Sequence, residues 1–163
     1  MMEITEQSAP RLDELSNRLF FRLYQCANML HKTGTKALDD FSVTTQQWAV
    51  LGALSREGYE AGIAVSDLAK FLLVSRQNLT GVLSRMEAQG LIERSVSPSD
   101  SRSRLIHMTR KGKMLWENEL RTRISQFYSD ALEGFSTTDR IHMTHYLHKL
   151  LQNFKTLDPE PHL

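Results

Sequence analysis

The chain has 163 residues, a single cysteine and a formal net charge of +1, and its length predicts one domain that can bury its own core. One cysteine excludes an intrachain disulfide, and no apolar run approaches the ~18 residues that a membrane-spanning helix needs. The polar, acidic start is unlike a signal peptide, so we expect a cytoplasmic protein without a membrane segment.

A long first helix is predicted from residue 10 to residue 38, after a loose tail. Its apolar stripe comprises Leu12, Leu15, Leu19, Leu23, Cys26 and Leu30. Phe20, Phe21 and Tyr24 extend the apolar surface beyond one stripe. A helix that is apolar on more than one side needs a second partner, and another copy of the chain is a candidate.

A second helix is predicted over residues 45–56. Gln47 lies three residues after Thr44, which is the spacing of a capping box. Ser66 is expected to cap a third helix, over residues 67–73. The spacing of Leu68, Ala69 and Val74, continued by Leu79 and Val82 of the next predicted helix, fits a helix-turn-helix core.

A fourth helix is predicted between Ser75, a good N-cap, and Gly90, a typical C-cap residue. Its apolar residues fall on one stripe, formed by Leu79, Val82, Leu83 and Met86. The opposite face is polar and carries no acid; it consists of Gln77, Thr80, Gly81, Ser84 and Arg85. Such a face is suited to hydrogen bonding with another surface.

After Gly90 the apolar period changes from helical to alternating. Apolar and polar residues alternate in residues 91–96 and again in residues 102–108. Residues 97–101, which are typical of turns, separate the two segments. This predicts a β-hairpin with a basic tip. A helix followed by a basic hairpin is the winged helix-turn-helix arrangement, in which the helix enters a major groove and the hairpin a minor groove.

Two more helices are predicted beyond the hairpin. Thr109 is expected to cap a helix that reaches residue 133, and Ser136 or Thr137 to begin the last helix, with Asp139 at its acidic end. The final residues, 158–163, contain two prolines and are expected to fray.

Positive charge is concentrated in the middle of the chain. Residues 65–113 hold nine lysines and arginines against four acids, a surplus of five positive charges in a chain whose total is +1. A basic central segment in a chain whose remaining residues are acidic on balance predicts contact with phosphates.

Three segments together carry a family resemblance. Gly90-Leu91-Ile92, Asp100-x-Arg102-Ser103-Arg104 and Met108-Thr109-x-x-Gly112 resemble the signature of MarR-type transcriptional regulators, with Met108 where leucine is usual. The resemblance extends over nearly the whole chain. It implies a single domain, residues 1–163, that is mostly α with a small β-hairpin wing. Residues 44–108 would form the DNA-binding part, and residues 10–38 and 109–156 would pair with a second copy in a homodimer.

The resemblance and the polar face of the fourth helix predict the contacts with double-stranded DNA. The candidates are Ser75, Arg76, Gln77, Asn78, Thr80, Ser84, Arg85, Asp100, Arg102 and Arg104. In the family, Asp100 and Arg102 would brace the wing and the wing arginine would enter the minor groove. The alternative interpretation of the wing is a solvated charged loop.

The resemblance also implies a small-molecule effector, often an aromatic acid, bound between the dimerisation and DNA-binding parts. The effector could also be the thioester of such an acid. The candidate lining residues are Arg18, Phe20, Phe21, Arg22, Tyr24, His31 and Trp48. The alternative is that the aromatic residues are core and the arginines plain surface. The sequence therefore predicts a ligand-responsive repressor on a pseudo-palindromic operator, although an activator role stays open.

Cys26 invites a redox hypothesis, because one branch of the family senses peroxide through a first-helix cysteine. In that branch the sensing position falls on Phe20 here, and Arg22 is the only cation at close helical spacing to Cys26. We therefore interpret Cys26 as a small core residue and keep the redox-sensing regulator as an alternative.

Other classes of function have less support. The chain has no phosphate-binding glycine loop, nucleophile elbow or His-Glu-x-x-His motif, so we predict neither an enzyme nor a cofactor. His142, His145 and His148 recur every three residues, but they fall on the predicted solvent face, and no metal site is predicted. A winged helix that binds protein instead of DNA is a further alternative, which the polar fourth-helix face disfavours.

Overall fold

The computed structural model describes residues 11–158; the predictions made for the tail, for the start of the first helix at residue 10 and for the end beyond residue 158 fall outside this range. In chain order the elements are α1 (Leu12–Ala37), a 3-10 turn (Asp39–Phe41), α2 (Thr45–Leu54), β1 (Ile63–Ala64), α3 (Val65–Leu72), α4 (Arg76–Ala88), β2 (Ile92–Val96), β3 (Arg104–Met108), α5 (Arg110–Leu115), a π-helical segment (Trp116–Leu120), α6 (Arg121–Ala131) and α7 (Thr137–Leu157). The predicted fold class, mostly α with a small hairpin, is confirmed.

The three strands form one antiparallel sheet in the order β1-β3-β2. The hairpin register places Ile92 opposite Met108 and Val96 opposite Arg104, while β1 joins the other edge of β3 through Ile63 opposite Ile106. The predicted hairpin therefore becomes a three-stranded wing sheet that is tied to the start of α3.

Four of the predicted helix starts have the caps that the sequence indicates. The Thr44 hydroxyl accepts from the Gln47 N–H and the Gln47 side chain accepts from the Thr44 N–H, which completes the capping box. The Ser75 and Thr109 hydroxyls cap α4 and α5 by accepting from the Asn78 and Gly112 N–H groups, without the return bond of a capping box. Ser136 caps α7 with Asp139, and the hydrogen bonds from the Ser136 hydroxyl and N–H hold the pKa of the Asp139 carboxyl below its usual value.

The predicted cap of the third helix is wrong. α3 begins at Val65 with Ala64 as its N-cap, and Ser66 lies inside the helix. The reason is the pairing of β1 with β3, which keeps Ile63 and Ala64 extended and lets the helix start directly after the strand.

The core lies beneath the helix-turn-helix. α2, α3, α4 and the sheet all contribute to it, and its fully buried side chains include Leu51, Leu68, Leu79, Leu83, Met86, Ile92 and Ile106. The buried stripe of α4, Leu79, Val82, Leu83 and Met86, is the one that the sequence predicts. Full burial of a leucine stabilises a fold by roughly 1.5–3 kcal/mol, so this stripe fixes which face of α4 points outward.

The structure explains why two of the motif residues, Thr109 and Gly112, are threonine and glycine. The Thr109 hydroxyl donates to the Gly90 carbonyl at 2.7 Å, and the Thr109 N–H donates to the Leu91 carbonyl at 3.1 Å. A Cβ at Gly112 would lie 2.1 Å from the Leu91 carbonyl oxygen. Only glycine lets α5 approach so closely, and the start of α5 is thereby fastened to the turn that follows α4.

The terminal helices keep large apolar faces exposed. On α1, Leu12, Leu19, Phe21 and Tyr24 are exposed, and on α7 the same holds for Ile141, Tyr146 and Leu157. Cys26 is also exposed, so the expectation that it is a core residue of the chain is wrong. The physical reason is that Cys26 lies in a stretch of α1, residues 24–30, whose side chains are all exposed within the single chain.

Candidate nucleic-acid interface and cavity

The outer face of α4 is continuous and polar. Every residue of the predicted α4 contact set, Ser75, Arg76, Gln77, Asn78, Thr80, Ser84 and Arg85, is exposed. Gly81 lies among them, and a Cβ there would meet only the Arg85 guanidinium, at 3.8 Å. A flat polar helix face without a bulky residue at its middle can approach a groove closely.

The hydroxyls of this face are already oriented by the helix. Thr80 donates to the Arg76 carbonyl at 2.8 Å and Ser84 donates to the Thr80 carbonyl at 3.0 Å. Each hydroxyl keeps acceptor lone pairs after donating its proton, and that of Ser84 also accepts from Arg94 Nη2 at 3.2 Å. The Gln77 and Arg85 side chains make no hydrogen bond within residues 11–158, which leaves both able to bond a base edge.

Arg94 joins the wing to α4, and sequence reasoning missed it. Its Nε lies 3.1 Å from the Glu87 carboxylate and its Nη2 donates to the Ser84 hydroxyl at 3.2 Å. The contact of Nε with Glu87 is an ion pair and not a well-aligned hydrogen bond. Arg94 offsets the one acid of α4. The feature that could have indicated this role is the position of Arg94 in β2: it lies two residues after the buried Ile92 and therefore on the inward face of the strand.

The wing tip is ordered by Asp100. Its carboxylate accepts from the Arg102 N–H at 2.9 Å, and its carbonyl accepts from the Ser103 N–H at 2.9 Å. Arg104 donates to the Ser101 carbonyl at 3.0 Å. Asp100 thus acts on the backbone of Arg102, and the Arg102 guanidinium has no partner within the described part of the chain.

A cavity of about 300 Å³ lies between α1, α2, α3 and α4. Its wall is mainly apolar and is formed by Ala27, Leu30, His31, Thr45, Gln46, Ala49, Val50, Leu72, Val74, Asn78, Leu79 and Val82. The His31 Nδ1 and the Thr45 hydroxyl are in hydrogen-bond contact at its edge. Three of the lining residues, Asn78, Leu79 and Val82, belong to α4, so the cavity adjoins the helix with the polar outer face.

The predicted ligand residues are only partly brought together. His31 lines the cavity, whereas Phe21 and Tyr24 are exposed on α1. Arg18 is paired with Glu14 at 2.5 Å, and Arg22 donates to Gln25 at 3.1 Å. Neither arginine lines the cavity.

Trp48 lies in a separate aromatic cluster. Its ring centroid is 6.0 Å from that of Phe127 and 5.6 Å from that of Tyr128, at the contact of α2 with α6. Burial raises the pKa of the Tyr128 hydroxyl. The cavity itself was not predicted from the sequence. The small side chains of Ala27 and Ala49, which lie on facing helices and leave space between them, were the feature that could have indicated it.

Other kinds of site have no geometric support in the described residues. Between residues 11 and 158 no three His, Cys, Asp or Glu side chains are grouped as metal ligands, and His142, His145 and His148 are exposed on α7. None of the helices in that range is long and apolar enough to cross a membrane.

Comparison with known proteins gives concordant matches. A family model described as "MarR family" matches residues 41–103. The transcriptional activatory protein BadR of Rhodopseudomonas palustris is 53% identical over 154 residues, which are 94% of this chain and 88% of that protein. The homoprotocatechuate degradative operon repressor of Escherichia coli is 30% identical over 110 residues, 68% of this chain and 72% of that protein.

A solved structure matches as well. CouR from Rhodococcus jostii RHA1, bound to p-coumaroyl-CoA, aligns with a TM-score of 0.71 at 26% identity. The alignment covers 83% of this chain and 93% of that chain.

Proposed function

The chain belongs to the MarR family of transcriptional regulators, and from that premise we propose that it binds a pseudo-palindromic DNA operator as a homodimer and responds to a small effector. The observation that carries the proposal is the exposed face of α4 beside the basic wing tip. In that arrangement Gln77 and Arg85 are free for base edges, and Arg102 is free for the minor groove.

Dimerisation is supported by the apolar faces of α1 and α7. Phe21 and Tyr24 are about two-thirds exposed, as are Ile141 and Tyr146. Phe20 of α1 and Phe154 of α7, with ring centroids 6.1 Å apart, show that the two helices meet within one chain. A second copy would cover these faces and place two α4 helices in major grooves one helical turn, ~34 Å, apart.

The effector is proposed to be a small aromatic acid or its thioester. A volume of about 300 Å³ is at the lower end of the range for ligand pockets and is sufficient for one ring with its acyl group. Leu30, Val74 and Val82 would contact the ring, and His31 with Thr45 would bond the acyl oxygen. The carrier of a thioester would extend out of the cavity. CouR with its bound thioester and the aromatic catabolic role in the name of the Escherichia coli relative support this class.

Control of DNA binding by this ligand needs a difference in affinity. An effector shifts the protein only if it binds the DNA-incompetent arrangement more tightly. A shift from nearly all bound to nearly all free requires about 5.5 kcal/mol of differential affinity, which two cavities in a dimer would share. Contact with Asn78 and Leu79 gives the ligand direct access to the position of α4.

The direction of control has two candidates. Repression is the direction expected from the family resemblance and is the role named for the 30%-identical relative, while the 53%-identical relative is named as an activatory protein. The same DNA contacts serve both, because the position of the operator relative to the promoter decides the sign.

Selection of genomic fragments by the purified protein, followed by footprinting, tests the proposal. We expect a pseudo-palindromic footprint, and a reporter gene fused to that promoter would show the sign of control. Absence of any preferred fragment would contradict sequence-specific binding.

A further inference from the structure

The two ends of α4 are held in different ways. In its N-terminal half, Asn78, Leu79 and Val82 face the cavity. At its C-terminal end, Gln89 is bonded to α2 and to the turn that follows α1. One half of the helix therefore borders open space, and the other end is fastened by hydrogen bonds.

The fastening is a chain of amide groups that starts at the junction of α1 and α2. The Gln47 side chain accepts from the Thr44 N–H at 2.9 Å, and its Nε2 donates to Gln89 Oε1 at 2.9 Å. Gln89 Nε2 then donates to the Ser42 carbonyl at 3.0 Å. Gln47 is only 3% exposed, so the loss of its partner would leave a buried amide unsatisfied, which is costly.

The same end of α4 is bonded from the opposite side by the start of α5. Lys111 Nζ donates to the Gln89 carbonyl at 2.7 Å, and the Thr109 hydroxyl donates to the Gly90 carbonyl at 2.7 Å. Bonds from two separate elements meet at one residue, Gln89. Gln89 lies outside the predicted DNA-contact set and does not line the cavity.

We propose that Gln47 and Gln89 are positioning residues that anchor the C-terminal end of α4 to the α1–α2 junction. The movable end of α4 is then its N-terminal half, which carries Gln77 and the cavity wall. A ligand that enters the cavity displaces the end of α4 that carries Gln77, while the end next to Gln89 stays in place. This inference deepens the proposed function and rests on operator binding by α4.

Operator affinity tests the anchor. Gln47→Leu and Gln89→Leu are each expected to weaken operator binding about tenfold, and non-specific DNA binding less than threefold, because they misplace base contacts without removing a charge. The double variant is expected to be no weaker than the weaker single variant, since both break the same bond. Gln126→Leu is the matched control, because Gln126 is exposed on α6 and bonds only Asp130, at 2.8 Å.

Three outcomes separate the anchor from the proposed function. If the parent protein prefers no DNA fragment, the proposed function fails. If the parent binds its operator and the Gln47 and Gln89 variants bind it equally well, the anchor alone is overturned, as it is if they lose operator and non-specific binding by the same factor. Gln89→Glu keeps the size of Gln89 and its acceptor for Gln47 but removes the donor to Ser42, so it gives a second test should Gln89→Leu fail to fold.

A distance measurement checks the anchored end without DNA or ligand. In a Cys26→Ser background, nitroxide labels at position 76 or position 88 report distances between the two protomers by electron double resonance. We expect a narrower distribution for Ala88→Cys than for Arg76→Cys, and broadening at position 88 when Gln89→Leu is added. The anchor would be overturned if the distance distributions at positions 76 and 88 were equally wide in the parent, or if Gln89→Leu did not broaden the distribution at position 88.

Discussion

Replacement of Asp100 in the wing tests whether backbone order outweighs charge. Asp100→Ala removes a negative charge from a basic surface that faces DNA, so simple Coulomb reasoning predicts tighter binding. The structure predicts the opposite, because the Asp100 carboxylate accepts from the Arg102 N–H at 2.9 Å and fixes the wing tip. Without it, Arg102 would have to be ordered at the moment of binding.

The magnitude follows from the two opposing terms. Two unit charges 4 Å apart in water interact by about 1 kcal/mol, and at larger distance the ~8 Å Debye length of physiological salt reduces the gain from removing Asp100 to a few tenths. Loss of one hydrogen bond that orders an exposed loop costs about 1 kcal/mol. With two wings in a dimer the net loss is about 1.5 kcal/mol, or roughly tenfold in affinity.

The assay is a fluorescence-anisotropy titration of the operator at several salt concentrations. Asp100→Asn is the matched control, because its amide oxygen still accepts from the Arg102 N–H while the charge is gone. We expect Asp100→Asn to bind at least as tightly as the parent and Asp100→Ala to bind about tenfold more weakly. Tighter binding by Asp100→Ala would refute the bracing argument.

Four further predictions concern the specificity, the wing, the fold and the effector. Gln77→Ala should cost roughly 1–3 kcal/mol on the operator and relax base preference at one position per half-site, measured by binding to single-base operator variants; equal loss on all sequences would mean a backbone contact. Arg102→Ala should weaken operator binding with the same dimer mass by light scattering. Gly112→Ala should lower the thermal midpoint by many degrees, since its Cβ would lie 2.1 Å from the Leu91 carbonyl oxygen. His31→Ala should blunt release of DNA by aromatic acids in gel-shift titrations, whereas Trp48→Phe should respond like the parent; the reverse result would place the effector in the aromatic cluster.

The elements that the sequence predicted well are those with local signals. The start and the buried stripe of α4 follow from Ser75, Gly90 and one helical period, and the hairpin follows from alternation around a turn. The caps at Thr44 and Ser136 depend on residues three positions apart. Such signals lie within one turn of a helix and do not depend on what packs against it.

The features that the sequence missed depend on contacts between distant residues. Ser66 lost its predicted role because β1 pairs with β3, some forty residues away. The ion pair of Arg94 with Glu87 and the cavity beside His31 likewise arise only once the elements of the fold are packed together. The exposure of Cys26 has the same origin, because an apolar stripe on a helix does not show which of its residues another element of the chain will cover.

The π-helical segment Trp116–Leu120 determines how α6 is rotated about the helix axis relative to α5. A π turn accommodates one residue more than an α turn, and each residue rotates a helix by about 100°. Everything that follows, namely α6 and the apolar face of α7, is therefore rotated relative to α5, which is fastened to the wing. In the proposed homodimer, deletion of one residue here is expected to restore the α-helical register, turn the apolar face of α6 by about 100° relative to α5 and change the spacing of the two α4 helices.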